Sequence, residues 1–215
     1  MIGKTGIRLL GAAFFLQGCI QPPVPAPVSE CATIPCVAIT FDGGPTGNTV
    51  RILDILAEND AKATFFVIGK QAVNAPELVA RMAAEGHEIG NHSWSHVPFP
   101  RLSEAQIMAE LENTNAAILA ATGGYEVSIF RPPFGSYSPR VASIVPYAPV
   151  YWDLDPNDWE STSSAEIARL VGRAKPGMVV LLHSFSGASL RALPQIIKTF
   201  RARGFRMVTI SELRP

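Results

Sequence analysis

Two histidines four residues apart, His92 and His96, sit in the run H-S-W-S-H. A helical turn there places both imidazoles on one side. Paired neutral imidazoles suit Zn²⁺, Co²⁺ or Ni²⁺. The same spacing also fits two histidines of a core or a solvent face. A carboxylate, Asp42, follows the apolar run C-V-A-I-T-F of residues 36–41 and opens the loop D-G-G-P. There it can take a proton from water, or only shape a turn. Three further polar clusters follow in order: R-P-P-F-G from Arg131, D-P-N-D-W from Asp155, and L-L-H ending at His183.

The elements that must gather these clusters alternate. Residues 36–41, 64–68, 87–89, 146–152, 178–182 and 206–210 read as strands, apolar and rich in β-formers. Between them lie helical patterns. Asn48 or Thr49 can cap the first, in which Val50, Ile52, Leu53, Ile55 and Leu56 recur at helical spacing. Residues 76–84, 103–121, 164–171 and 193–203 supply the others. Ser103 and Gln106 resemble a capping box, and Gly123-Gly124 stops that helix. The polar clusters fall at strand ends, the edge where sites gather in parallel α/β folds. The pattern alone fits a barrel and an open doubly wound sheet equally. Residues 36–215 are short for an eightfold barrel, so a barrel here should be incomplete or distorted.

The five clusters, in this order, resemble the five motifs of the NodB-homology polysaccharide deacetylases, carbohydrate esterase family four. The flanks K-A-T-F-F-V-I-G from Lys62, G-H-E-I-G-N-H from Gly86 and L-P-Q-I-I from Leu193 agree. The resemblance implies an α/β fold, a distorted or incomplete (β/α) barrel of the NodB-homology type. It implies hydrolytic removal of acetyl groups from a glycan with one divalent metal, Zn²⁺ first and Co²⁺ or Ni²⁺ as alternatives. By the same resemblance Asp42 is the base, and Arg131 holds it through a bidentate pair. The N–H of Phe134 meets the developing oxyanion. His183 is the general acid, and Asp158 orients it and raises its pKa. His92 and His96 hold the metal. Trp159, Leu181 and Trp94 wall the acetyl or sugar site.

One position departs from the family. Its first motif reads T-F-D-D-G-P, and the second Asp is the third protein ligand to the metal; here that residue is Gly43. Three outcomes follow. Metal binds weakly, with water or substrate completing the shell; another carboxylate, Asp42 being nearest, moves onto it; or the domain only binds glycan. The two functional readings are therefore a deacetylase acting on an N-acetylated (or O-acetylated) polysaccharide such as chitooligosaccharide or peptidoglycan, and a catalytically impaired glycan-binding lipoprotein on the same fold.

The 215 residues fit one domain with short extras. Lys4, Arg8 and the short apolar stretch to Leu16 read as a signal peptide over residues 1–18. Its ending, Leu16-Gln17-Gly18-Cys19, resembles a lipobox, with Cys19 lipidated; a plain signal peptide is the alternative. Residues 19–35 form a linker, with four prolines among residues 21–29. Residues 36–215 form the deacetylase domain. An exported chain meets an oxidising compartment, so Cys31 and Cys36 are expected to close a disulfide rather than bind metal. The expected location is the periplasm or cell envelope, on a membrane through Cys19. Basic and acidic side chains balance at 18 each, which gives no electrostatic footprint for nucleic acid. The partner expected is an acetylated glycan, and no feature calls for a protein partner.

Overall fold

A computed structural model describes residues 30–214. The signal peptide, Cys19 and the proline run lie outside the described residues. In chain order the elements are β1 (Cys36–Gly44), α1 (Thr49–Glu58), β2 (Thr64–Val67), α2 (Gly69–Asn74), α3 (Pro76–Ala84), β3 (Glu88–Asn91), α4 (Glu104–Thr122), α5 (Pro139–Ala142), α6 (Ser164–Val171), β4 (Val179–His183), α7 (Gly187–Ala202), β5 (Arg206–Val208) and α8 (Ile210–Leu213).

All five strands are parallel, in the order β3-β2-β1-β4, with β5 paired to the start of β1. Every residue of β1 is buried, which marks it as the central strand and explains its continuous apolar reading. Single-residue bridges carry the pairing onward from β3: Asn91 to Phe130, Phe130 to Pro149, and Leu154 back to Val180 of β4. The ring is therefore closed by bridges instead of full strands, the incomplete (β/α) barrel expected. Residues 146–152 contribute only such a bridge, not the strand their apolar pattern suggested.

The helices cover the sheet with apolar stripes. In α1, Ile52, Leu53, Ile55 and Leu56 are buried, while Val50 faces out. Each full burial of such a side chain stabilises by about 1.5–3 kcal/mol. Asn48 occupies the N-cap of α1 but makes no cap bond; its side chain is engaged elsewhere, as described below. The Ser103–Gln106 capping box forms, and Gly123 ends α4 in the left-handed conformation. The last long helix begins at Gly187, six residues before the expected start. Pro194 lies inside the helix, and Ser186 is its cap. Cys31 and Cys36 are joined by a disulfide that ties the entering chain to β1.

His87 precedes β3 in a buried position and packs edge-on to Phe65. Its Nδ1 accepts from the Ala63 N–H at 3.3 Å. Burial, then the nearby Lys62 charge, push its pKa down to about 4. The unfolded chain binds this proton near the ordinary value of 6.5 and the folded chain resists it. The His87 contribution to stability is thus whole above pH 6.5 and declines as pH falls towards 4. The expected loss between pH 7.5 and 5 is about 2 kcal/mol. Urea unfolding at both pH values should show a smaller difference for His87→Gln than for wild type; equal differences would contradict this account.

Candidate active site

Parallel pairing sets the centre of the site. Asp42 on β1 and His183 on β4 are register partners at adjacent strand ends. Behind Asp42 lies Arg131, wholly buried. Its Nη1 donates to Asp42 Oδ1 at 2.7 Å and to Thr40 Oγ1 at 2.8 Å. Nε and Nη2 donate to the carbonyls of Val150 and Tyr151 at 3.1 and 3.2 Å. The guanidinium also lies 4.0 Å from the Phe66 ring centre. The pair with Asp42 is therefore single-pointed, not bidentate, because backbone carbonyls occupy the rest of the fork. Thr40, which sequence reading passed over, is part of this clamp.

His92 and His96 come together, their ring centres 4.8 Å apart, but not on a helical turn. The chain between them is a loop in which Ser93 and His96 both take positive φ, 68° and 57°. Such non-glycine conformations cost about 1–3 kcal/mol each and need outside support. Asn91 Oδ1 accepts from the Ser93 N–H, Ser93 Oγ from the His96 N–H, and the Glu110 carboxylate from Ser95 N–H and O–H. His92 Nδ1 lies 2.8 Å from the Arg131 carbonyl. A carbonyl only accepts, so Nδ1 bears the proton and Nε2 presents its lone pair. Burial holds the His92 pKa below its ordinary value. Burial, then the neighbouring His92, push that of His96 down to about 4, so both rings are neutral at pH 7.

On the other side, His183 Nδ1 lies 2.7 Å from Asp158 Oδ1. Asp158 Oδ2 accepts from the His183 N–H at 2.8 Å and from Ser189 Oγ. Ser186 Oγ donates to the Asp158 carbonyl at 3.0 Å. Burial pulls the His183 imidazolium down, but the hydrogen bond and charge of Asp158, helped by Asp42 and Asp155, hold its pKa above the ordinary value. Ser189 was not singled out from sequence. The signal for it was a serine three residues beyond the serine cap of a helix that follows L-L-H.

Asp42, His92, His96 and His183 line a cleft of about 640 Å³ with Trp159, Leu181, Trp152 and Phe185. Phe134 is at its rim, with φ 60° and its side chain 66% exposed. The Phe134 N–H has no acceptor among the described residues. Trp94 does not line the cleft. Its ring packs against Gly69 of α2, where the lack of a side chain makes the room. Gly43 borders the cleft with φ +78°.

His92 fits a divalent transition ion in type and tautomer, and His96 fits it in type. His92 Nε2 lies 3.6 Å from Asp42 Oδ2, so its lone pair has no donor in that carboxylate. The Nδ1 bond to a backbone carbonyl is the support that ligating histidines take. Among the described residues no group of three or more His, Cys, Asp or Glu is placed to hold an ion. His92 and His96 are therefore two candidate ligands without a third beside them among the described residues.

Residues 29–150 match the family model described as polysaccharide deacetylase. Peptidoglycan-N-acetylmuramic acid deacetylase PdaC of Bacillus subtilis is 36% identical over 179 residues, covering 82% of this chain and 38% of its own length. The chain spans about two fifths of the length of the first curated relatives it matches. Among solved structures, the T48 deacetylase with substrate gives a TM-score of 0.83 at 37% identity, covering 86% of this chain and 94% of the other. A family 4 acetyl xylan esterase from Clostridium thermocellum, in complex with cobalt, gives 0.78 at 37% identity, covering 83% and 89%. A pseudoenzyme of carbohydrate esterase family four from Bacillus anthracis gives 0.77 at 31% identity, covering 84% and 66%. With the motifs, the barrel and these likenesses in agreement, the chain belongs to the polysaccharide deacetylase family.

Proposed function

We propose that this chain removes acetyl groups by hydrolysis from an N-acetylated (or O-acetylated) glycan of peptidoglycan or chitooligosaccharide type. The observation that carries the reading is the pairing of Asp42 with Arg131 and of His183 with Asp158 at adjacent ends of β1 and β4. The names of the relatives, among them PdaC, support the substrate class.

In this reading Asp42 takes a proton from the attacking water, whose oxygen bonds to the acetyl carbon. The Phe134 N–H, free of other acceptors, stabilises the negative oxygen that develops. His183 gives its proton to the leaving nitrogen (or oxygen) as that bond to carbon breaks, releasing acetate. Asp158 keeps His183 protonated and oriented, with Ser189 and Ser186 fixing Asp158 in turn. His92 and His96 would hold a divalent ion, whose Lewis acidity would make the water more acidic and polarise the carbonyl. The cobalt of the Clostridium thermocellum esterase supports such an ion. Zn²⁺ is the first candidate for such a pair of imidazoles, with Co²⁺ or Ni²⁺ as alternatives.

A second reading, a glycan-binding protein with impaired catalysis, is favoured by Gly43 in place of the usual carboxylate and by the likeness to a family pseudoenzyme. Acetate release from acetylated chitooligosaccharides, with and without added Zn²⁺ or Co²⁺, decides between them. Release that rises with metal is expected; none under any condition would leave the binding reading.

The acid half gives a signed prediction. His183 must be protonated to act, so rate falls as pH rises through its pKa. Asp158→Asn removes the charge that raises that pKa, and the basic limb of the pH profile should move to lower pH while the rate falls. A limb that stays in place would remove Asp158 from this role. Asp42→Asn should cut acetate release by about 10²–10⁴-fold; full activity would exclude Asp42 as the base.

The location proposed is the cell envelope, on a membrane through lipid on Cys19. Among the described residues no helix is long and apolar enough to cross a membrane. Mass spectrometry of the membrane fraction should find an acylated N-terminal Cys19; an unmodified soluble form would return the leader to a plain signal peptide.

A further inference from the structure

Gly43 has φ +78°, and a side chain built there points at one residue. Its Cβ would lie 3.3 Å and 3.4 Å from two ring carbons of Phe185, and no other heavy atom outside the neighbouring residues comes within 4 Å. Phe185 belongs to the short loop between β4 and α7, two residues after His183, and its ring centre is 5.0 Å from that of His183. The loop cannot withdraw easily. Asn48 Nδ2 donates to the carbonyls of Ser184 and Phe185 at 3.2 and 3.1 Å. Thr46 Oγ1 donates to the Ser184 carbonyl at 2.9 Å, and Ser186 Oγ to the Asp158 carbonyl at 3.0 Å. This explains why Asn48 does not cap α1. Its amide ties the loop holding Phe185 to the turn that follows Gly43 and Gly44 at the end of β1. With these bonds on the loop backbone, side-chain rotation is the motion left most open to Phe185, a residue 53% exposed.

We infer that Phe185 occupies the room a carboxylate at position 43 would need, and that the two residues together fix a site of two protein ligands. A carboxylate restored at 43 reaches the ion only when the ring is also removed. The inference rests on the reading that His92 and His96 hold a divalent ion.

The test is calorimetric titration of Zn²⁺ into wild type, Gly43→Asp, Phe185→Ala and the double variant, at matched folded fraction. Gly43→Asn reports the strain of a side chain at this φ without the charge. Gly43→Asp and Phe185→Ala alone should stay near the wild-type affinity. The double variant should bind about tenfold tighter or more. Gly43→Asp binding as tightly as the double variant would overturn the role of Phe185 and leave the two-histidine reading intact. No binding by any of the proteins would overturn both. Where position 43 tolerates no side chain, formate serves instead. It should tighten Zn²⁺ binding to Phe185→Ala and leave wild type unchanged, because only the variant has room for it. An equal response of the two proteins would overturn the inference.

Discussion

The structure of the site depends on a single buried cation. Arg131 has no solvent exposure, and an unpaired charge in such a place is strongly destabilising. Its partners come from two distant parts of the chain: Thr40 and Asp42 of β1, and the carbonyls of Val150 and Tyr151. The carbonyl of the same residue fixes the tautomer of His92. Asp42, the proposed base, and His92, a proposed ion ligand, are therefore held by one residue. A lysine could not replace it, since one ammonium cannot meet acceptors spread along a planar fork. Removing the Asp42 charge would leave the guanidinium uncompensated, a penalty of about 3–5 kcal/mol. Loss of stability must therefore be separated from loss of chemistry at this position, and the isosteric Asn keeps one oxygen as an acceptor for Arg131.

The parallel sheet does the rest. Because β1 pairs with β4 in register, Asp42 and His183 emerge beside one another without any loop having to bring them together. On its other side β1 pairs with β2, and the register shifts between Asp42 and Gly44. Such an irregularity re-aims the side chains around it. Gly43 sits inside that shift with the positive φ that a glycine accepts most readily.

What could be read in the sequence follows from this division. Strands buried on both faces announce themselves as apolar runs, so β1 and β4 were legible, as was the Ser103 capping box, which is a local signal. The five clusters were legible because each sits at an element end. The geometry inside them was not. The convergence of His92 and His96 depends on Glu110, fifteen residues beyond Ser95, holding a strained loop that no periodicity reveals. The resemblance put Trp94 in the cleft wall, but the left-handed turn at Ser93 accompanies a chain path that sets it against Gly69. The start of α7 was not legible: Ser186 caps the helix two turns before Leu193, and Pro194 lies inside it.

Gly43 and Phe185 acquire their meaning together. A glycine alone in place of a carboxylate would leave a notch beside the ion site, open to water, and water weakens every charge interaction near it. The aromatic ring fills that notch with apolar atoms. An ion held by His92 and His96 would then lack one negative partner, but it would feel Asp42, 3.6 Å from His92 Nε2, through a less polar medium. The ring also lies against His183, so the same apolar surface borders the acid. For His183 that surface favours the neutral ring, and the Asp158 carboxylate opposes it. The exchange of a ligand for a ring therefore acts on both halves of the site, leaving Asp42 as the nearest anion on one side and Asp158 on the other.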